Sequence, residues 1–309
     1  MDRSQTAAAT PLARAERFIW LTARVLEQHR FAYHFLGGRA EAVETALAAY
    51  ERDDGGYGYG LEPDRRGPVS QPLATALALR VLDEIDRCGG PRAERICRFL
   101  TAVARPDGAL PALLPAQRGY PAAPWPPVRD HPPSELLSTG PVVGLLHRNG
   151  VWHAWLFRAT DFCWAAVEAL AEGARAHPDE VVAAVSFLDG APDRPRAEAL
   201  AERLGRWVRE QRLLVLDPDR AAAYPVAEGY APGARHFPHD VAREPGSLAR
   251  RWFTDAEMKR SLDHLAAAQE ADGGWPARRH AWAPCSGPGW RALATVEALL
   301  TLRAHGRAG

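Results

Sequence analysis

The feature that most constrains the fold is a short Asp-Gly motif that recurs at the ends of helical segments. It appears as Asp54-Gly55-Gly56-Tyr57, Asp107-Gly108-Ala109-Leu110, Asp189-Gly190-Ala191-Pro192 and Asp272-Gly273-Gly274-Trp275, with Asp-to-Asp spacings of 53, 82 and 83 residues. Glycine readily adopts the left-handed conformation that ends a helix, and an aspartate side chain can bond the nearby backbone. A repeat of this kind predicts helix pairs that stack on their neighbours.

Between these turns, apolar residues recur at helical spacing, and no segment alternates as a strand would. The apolar fraction of 47% and the charged fraction of 25% are ordinary for a globular protein. We therefore predict about eleven helices. Their approximate bounds are 12–28, 39–52, 70–85, 91–103, 137–147, 152–158, 160–172, 178–188, 196–211, 255–270 and 289–304.

The predicted helices are of two kinds. Segments 70–85, 160–172 and 289–304 are largely apolar, whereas 39–52 and 255–270 carry a charged stripe. An all-round apolar helix is buried, and a one-sided helix faces water. The alternation predicts an all-α protein with a single domain over residues 1–309, folded as an (α/α)6 barrel of inner and outer helices. An open solenoid is the alternative architecture.

Two of the turns resemble those of a known superfamily. The segment Gln269–Trp275 resembles the QW repeat of squalene and terpene cyclases, and Asp53–Gly60 is similar to a turn in protein prenyltransferase β subunits. The resemblance implies the (α/α)6 barrel of the prenyltransferase and squalene-cyclase superfamily. It also implies that Gln269, Asp272 and Trp275 act as structural clamps outside the barrel.

In such barrels the active cavity opens where the inner helices begin, and long loops on that rim carry function. The long predicted connections are 55–69, 105–135, 213–254 and 272–288, with the short turns 88–91 and 173–178 expected on the opposite rim. Segment 213–254 is rich in aromatic residues and proline, and we predict a lid-like insertion there. Within it, His239 beside Asp240 is a candidate acid–base pair.

A class II terpene cyclase needs a carboxylic acid that protonates an alkene, and the Asp-x-Asp-Asp motif of that family is missing here. The candidate catalytic residues are Glu62 and Asp64, just ahead of an inner helix, and Asp161, at the predicted start of another. A proton donor requires a raised pKa, which burial beside a second carboxylate supplies. The alternative is a solvated loop in which neighbouring arginines neutralise both acids.

Zinc-dependent prenyltransferases suggest another possibility, because Asp161 and Cys163 resemble the Asp-x-Cys pair that holds their metal. The expected histidine is missing from the later inner helix, so His239, His264 or His280 would have to replace it. Zinc sites need at least three converging protein ligands. We therefore expect no cofactor and keep a zinc site built on Asp161 and Cys163 as an alternative.

Aromatic residues fall mostly in the long loops and at the starts of inner helices, and the chain contains ten tryptophans. Aromatic faces stabilise a nearby cation by about 0.5–2 kcal/mol each, which suits a reaction through carbocations. The alternative is that these side chains simply fill a large core. The candidate substrate-binding residues are Tyr57, Tyr59, Trp164, Tyr230, Trp282, Trp290 and Arg291.

Composition and missing motifs argue against several classes of function. The net charge is zero, which gives no reason to expect a nucleic acid as partner. No apolar stretch is long enough to span a membrane, and residues 1–11 lack the apolar core of a signal peptide, so a cytoplasmic protein is expected. Sequence motifs of serine hydrolases, P-loop enzymes and dinucleotide oxidoreductases are missing.

We predict a terpenoid cyclase-like enzyme that cyclises or isomerises an isoprenoid or similar apolar small molecule by acid initiation. Three alternatives remain: a zinc-dependent transferase, a glycan-active α/α-barrel enzyme with paired carboxylates, and a ligand-binding module without catalysis.

Overall fold

The computed structural model describes residues 10–174 and 176–307. The prediction that residues 1–11 are not a signal peptide falls mostly on residues 1–9, which lie outside the described residues. Over the described residues it has twelve α-helices and three 3-10 helices, which confirms the all-helical class. The α-helices are α1 (Pro11–Thr22), α2 (Val25–Phe35), α3 (Ala40–Ala48), α4 (Pro72–Glu84), α5 (Gly90–Val103), α6 (Leu136–Arg148), α7 (Ala154–Ala171), α8 (Pro178–Gly190), α9 (Arg194–Glu210), α10 (Pro238–Val241), α11 (Asp255–Ala267) and α12 (Ser286–Ala304). The 3-10 helices are Pro115–Gly119, Pro218–Ala223 and Leu248–Trp252.

The odd-numbered helices lie on the outside of the barrel, and the even-numbered helices lie on the inside. Outer helices such as α9 bury one stripe of side chains, whereas the inner helix α6 buries nine of its thirteen residues. The inner helix α10 has a single turn, and all four of its residues are buried. Six outer–inner pairs therefore form the predicted (α/α)6 barrel, and the helical barrel prediction is confirmed.

Three predicted helices are divided differently in the structure, and α10 was not predicted. The segment 12–28 is two helices, because Ala23 is extended (φ −82°, ψ 156°) and separates α1 from α2. Segments 152–158 and 160–172 form the single helix α7, which is outer. The prediction that 160–172 is an inner helix is wrong, because one side of α7 faces solvent. Phe157 lies on that side and is 63% exposed.

Helices α6 and α8 pack with their backbones in contact, which locates the tightest part of the core. A Cβ atom added to Gly144 of α6 would lie 2.1 Å from the Ser186 carbonyl oxygen of α8, so only glycine fits there. Asp189 and Gly190 belong to the last turn of α8 rather than to a repeat turn. Gly190 packs against Gly144, and Asp189 accepts a hydrogen bond from the Leu248 N–H at 2.8 Å.

The other three Asp-Gly turns share one set of hydrogen bonds. In each turn the aspartate carboxylate accepts the backbone N–H two residues later, at 2.9–3.0 Å. The residue after that donates its own N–H to a buried threonine hydroxyl on the inner helix that follows. These donor–acceptor pairs are Tyr57–Thr75 (3.2 Å), Leu110–Thr139 (2.8 Å) and Trp275–Thr295 (2.9 Å).

The turn at Asp272 also closes the ring of helices. Gly273 has φ +95°, and a Cβ there would lie 2.2 Å from the Arg14 carbonyl oxygen of α1. The Trp275 indole donates to the Leu265 carbonyl of α11 at 2.7 Å, and Gln269 accepts from the Arg14 guanidinium at 2.6 Å. These contacts join the last pair of helices to the first, as a clamp should.

Long connections lie where the inner helices begin. The outer-to-inner connections include 49–71, 104–135, 211–237 and 268–285, whereas most inner-to-outer connections are a few residues long. Two expectations need correction. The short turn 173–178 lies on the same rim as the long loops, and segment 213–254 includes α10 and so contributes to both rims. The lid interpretation of its first part stays a prediction.

Within the described residues, no helix has the length and hydropathy needed to cross a bilayer.

The shared turn contacts make a testable prediction. Substitution Thr295→Val removes the hydroxyl that the Trp275 N–H donates to, and a buried donor left without an acceptor costs about 1–3 kcal/mol. We expect the free energy of unfolding, measured in urea, to fall by that amount. The control Thr45→Val removes an exposed hydroxyl that bonds only its own helix, and it should change stability little. Equal effects for the two variants would contradict the role of the turn contact.

Candidate functional site

Four loops meet in pairs on the rim where the inner helices begin. An isolated bridge joins Arg65 to Ala122, and the Ala123 N–H donates to the Asp64 carbonyl at 3.0 Å. A second bridge joins Tyr230 to Arg279. Loop 49–71 is thus tied to loop 104–135, and loop 211–237 to loop 268–285.

The carboxylates of Glu62 and Asp64 lie in the first of these loops, just ahead of α4. Arg65 forms an ion pair with Glu62 and donates to the Trp125 carbonyl at 3.0 Å. Asp64 is 4% exposed, and its Oδ1 atom has no hydrogen-bond partner among the described residues. Burial raises the pKa of Asp64, and the charge of Glu62 adds to the increase. The charge of Glu62 thus acts on Asp64, while Arg65 neutralises Glu62 as the alternative interpretation expected.

Asp64 is adjacent to the start of α12. A Cβ on Gly289 would lie 2.9 Å from the Pro63 side chain, which brings Trp290 beside Asp64. The Trp290 indole opposes the rise in the Asp64 pKa, as do Arg65 and Arg279, but burial outweighs them. The indole N–H approaches outside hydrogen-bond geometry and is unpartnered within the described chain.

Aromatic rings surround the guanidinium of Arg279. Its Cζ atom lies 5.1 Å from the ring centre of Trp125, 5.5 Å from that of Tyr230 and 5.9 Å from that of Trp290. Its Nη2 atom lies 2.8 Å from the Asp179 carboxylate at the start of α8. A site that already holds a cation between three rings has the electrostatics needed to stabilise positive charge.

A buried polar network continues from Asp179. The Tyr230 hydroxyl bonds the Asp179 carboxylate at 2.7 Å and the His236 ring at 3.0 Å, and Arg278 pairs with Asp240. Although burial alone would raise the pKa of Asp179, Arg279 and the nearby histidines lower it to about 2. Burial lowers the pKa of His236 to about 3, so its ring is neutral at pH 7.

The proposed pair of His239 and Asp240 is close in space, at 3.7 Å, and His239 bonds the Ser261 hydroxyl at 2.7 Å. All three side chains are buried, and Ser261 is only 1% exposed. Burial lowers the pKa of His239 to about 4. The trio has a serine–histidine–aspartate composition, but no surface gives a substrate access to its serine.

Asp161 and Cys163 lie elsewhere. Asp161 is exposed near the middle of the outer helix α7, whereas Cys163 is fully buried in the core. Residues two apart on a helix point about 200° away from each other, so the two side chains diverge. Throughout residues 10–174 and 176–307, no three potential metal ligands of the His, Cys, Asp or Glu type cluster together. The predicted position of Asp161 at the start of an inner helix is wrong.

The other candidate residues separate into two groups. Tyr230 and Trp290 face Arg279, and Trp282 is half-buried in the same loop as Arg279.

Tyr57, Trp164 and Arg291 pack in the framework instead. Tyr57 is fully buried in its turn, Trp164 packs on Phe187 at 4.8 Å, and Arg291 holds Asp272 at 2.7 and 2.8 Å. Tyr59 is 46% exposed and stacks against Arg52.

Sequence reasoning missed a set of charges inside the barrel. Arg80 of α4 pairs with Glu297 of α12, although α2 lies between those helices in the inner ring, so the pair crosses in front of α2. Arg30 of α2 pairs with Glu84 of α4 at 2.7 Å, and Arg30 is fully buried. The available signal was arginine and glutamate within otherwise apolar inner helices.

Two cavities bear on where the site lies. Glu62 borders a space of about 10 Å³, enough for roughly one water molecule. A larger groove of about 320 Å³ lies on the outside of the barrel, between α9 and the 3-10 helix Leu248–Trp252. We do not place the site in the larger groove, because neither the candidate acids nor the aromatic rings around Arg279 line it.

No protein-family model matches the chain, and no curated protein matches it. Among solved structures, a protein from Actinoplanes is similar with a TM-score of 0.56 and 17% identity, over 96% of this chain and 89% of that one. The type II terpene cyclase MstE from Scytonema is similar with a TM-score of 0.52 and 14% identity, over 98% of this chain and 91% of that one. A variant of MstE in complex with merosterolic acid A, its product, has a TM-score of 0.51 and 14% identity, over 98% and 90%. At such identities the similarity shows the fold.

The buried histidines predict how stability depends on pH. His236 and His239 are neutral in the folded protein, with pKa values lowered to about 3 and about 4, whereas in the unfolded chain they take up protons near pH 6.5. Stability is therefore full above about pH 6.5 and falls as pH decreases, by up to about 1.4 kcal/mol per pH unit for each histidine.

Urea unfolding between pH 7 and pH 4.5 tests this dependence. His236→Gln should reduce the slope of stability against pH, while the exposed control His131→Gln should leave the slope unchanged. A slope that is the same in the wild type and in His236→Gln would contradict the assignment.

Proposed function

We propose that this chain catalyses acid-initiated cyclisation or isomerisation of an isoprenoid or a similar apolar substrate, with Asp64 as the proton donor. The observation that carries the proposal is the Asp64 carboxyl group. It is buried, its pKa is raised, and one of its oxygens has no partner within the described residues. A raised pKa extends the pH range over which a carboxyl group keeps its proton and can act as a general acid.

In the proposed reaction, Asp64 transfers its proton to one carbon of a double bond, and positive charge develops on the other carbon. A second double bond of the substrate attacks that carbon and forms the ring bond. Loss of a proton to the Asp64 carboxylate then gives a neutral cyclic isomer and restores the acid. Glu62 has an indirect role, since its negative charge raises the Asp64 pKa.

The rings of Trp125, Tyr230 and Trp290 are proposed to stabilise the developing charge. Arg279 now occupies the space between them, so the substrate must displace its guanidinium or bind alongside it. The bridge between Tyr230 and Arg279 ties the two loops that would have to separate. In this proposal, loop 211–237 acts as a lid over the barrel.

The fold supports the same reaction class. MstE, whose barrel is similar, is a type II terpene cyclase that has been seen with its product merosterolic acid A. We extend from that protein to this chain the reaction class and an isoprenoid-like substrate, and leave the identity of the product open.

One observation favours a second candidate. The barrel interior carries the ion pairs Arg80–Glu297 and Arg30–Glu84, which suit a polar substrate better than a wholly apolar one. A glycan-active enzyme would use Glu62 and Asp64 as its paired carboxylates. Product analysis with oligosaccharide and isoprenoid substrates separates the two candidates.

The proposal predicts the effects of substitutions on turnover. Asp64→Asn should reduce the formation of cyclised products from linear polyprenyl substrates by about 10²-fold or more, the usual contribution of a positioned general acid. Products are measured by gas chromatography with mass detection. The matched control is Asp161→Asn, an exposed acid on α7, which should keep full activity. Unchanged turnover in Asp64→Asn would rule out Asp64 as the acid.

A pH profile tests the role of Glu62. The donor must be protonated, so kcat/KM should fall as pH rises through the raised pKa of Asp64. Glu62→Gln removes a neighbouring negative charge, so it should lower the Asp64 pKa and move this limb to lower pH. A limb that stays in place would show that Glu62 does not act through Asp64.

A further inference from the structure

Several residues on the inner face of the barrel are partly exposed to solvent. On α4 the residues Leu73, Leu77 and Arg80 are partly exposed, while most of the residues between them are buried. They lie four and three residues apart, so they share one face of the helix. Because Arg80 meets Glu297 across the ring, this face looks into the interior, which we call the lumen.

Helix α12 contributes a matching stripe. Trp290, Ala294 and Glu297 are partly exposed and also share one face. Glu297 lies two helical turns beyond Trp290, roughly 10 Å along the axis at 1.5 Å per residue. The lumen therefore has the Asp64–Trp290 end, an apolar wall that includes Leu77 and Ala294, and a charged end at Glu297.

Arginine is in excess at the charged end. Arg80 and Arg243 both pair with the single carboxylate of Glu297, the latter at 3.2 Å, and their side chains are 34% and 35% exposed. With Arg30 and Glu84, three arginines face two glutamates. Two buried nitrogens, Nε of Arg80 and Nη1 of Arg30, have no hydrogen-bond partner in the described part of the chain.

The charges around Arg80 are thus incompletely balanced. Burial and the charge of Arg243 hold the pKa of Arg80 below its usual range in spite of Glu297. An anion placed between the two guanidinium groups would receive charge-assisted hydrogen bonds from both, and guanidinium geometry suits carboxylate and phosphate oxygens.

We propose that Arg80 and Arg243 form a subsite for the anionic headgroup, a carboxylate or a phosphate, of an amphiphilic substrate. The apolar chain of that substrate lies along Leu77 and Ala294 and reaches towards Asp64. This inference rests on the proposed function, since it names the class of substrate that Asp64 would protonate.

Binding of a simple amphiphile tests the subsite without any turnover. The probes are decanoate, decyl phosphate and decanol, titrated into the full chain by calorimetry. We expect decanoate or decyl phosphate to bind at least tenfold more tightly than decanol, and the tighter of the two anions identifies the headgroup. Equal affinities for all three probes, or no binding of either anion, would overturn the proposal.

Variants assign the effect to these arginines. Arg243→Gln and Arg80→Gln should each weaken binding of the anionic probe about tenfold and leave decanol unchanged. Glu297→Gln removes the carboxylate that competes for both guanidinium groups and should tighten anion binding. The matched control is Arg148→Gln, because Arg148 pairs with Asp83 at the same end of α4 but is more exposed.

Folding of each variant is checked by its urea unfolding curve, and Arg243→Gln provides the result if Arg80→Gln does not fold. An anion preference that survives Arg243→Gln, or weaker anion binding in Glu297→Gln, would refute the subsite. Asp64→Asn should bind the anionic probe as the wild type does. A lumen that binds the probe in a protein without cyclase activity would therefore contradict the proposed function and leave the subsite intact.

Discussion

The arrangement of the barrel depends on one hydrogen bond that occurs three times, from a turn N–H to a threonine hydroxyl on the next inner helix. Thr75, Thr139 and Thr295 each accept this bond while donating to a carbonyl four residues earlier in their own helix. The bond fixes where the inner helix begins relative to the turn. The turns precede α4, α6 and α12, so three long loops reach the same rim, and Asp64 lies in one of them.

Much of this framework could be predicted from local sequence, because the turn chemistry is local. Gly273 has to be glycine, since its backbone is left-handed and Arg14 leaves no room for a side chain. Asp189-Gly190 has the same residue types but a different structural role, because Gly190 allows α8 to contact α6. Only the packing between distant helices distinguishes the two, and a single sequence does not contain it.

The candidate site was predictable in part for the same reason. Glu62 and Asp64 precede an inner helix, so their place on the rim follows from the order of the helices along the chain. The prediction that Asp161 begins an inner helix failed because α7 begins at Ala154, so Asp161 lies well inside that helix. Apolar residues such as Phe157 suggested a buried helix, although Phe157 is exposed. The position of Arg279 between aromatic rings could not be predicted, because Trp125 and Tyr230 come from two other loops.

The central claim is that Asp64 gives its proton to carbon, and isotope incorporation tests it most directly. A carboxyl proton exchanges with solvent, so a linear polyprenyl substrate turned over in D₂O should give a cyclised product with one deuterium bound to carbon. Mass spectrometry detects that added mass unit. The account predicts its presence in the wild-type product and the loss of labelled product in Asp64→Asn. A cyclised product without deuterium, or the same labelled yield from Asp64→Asn, would contradict it.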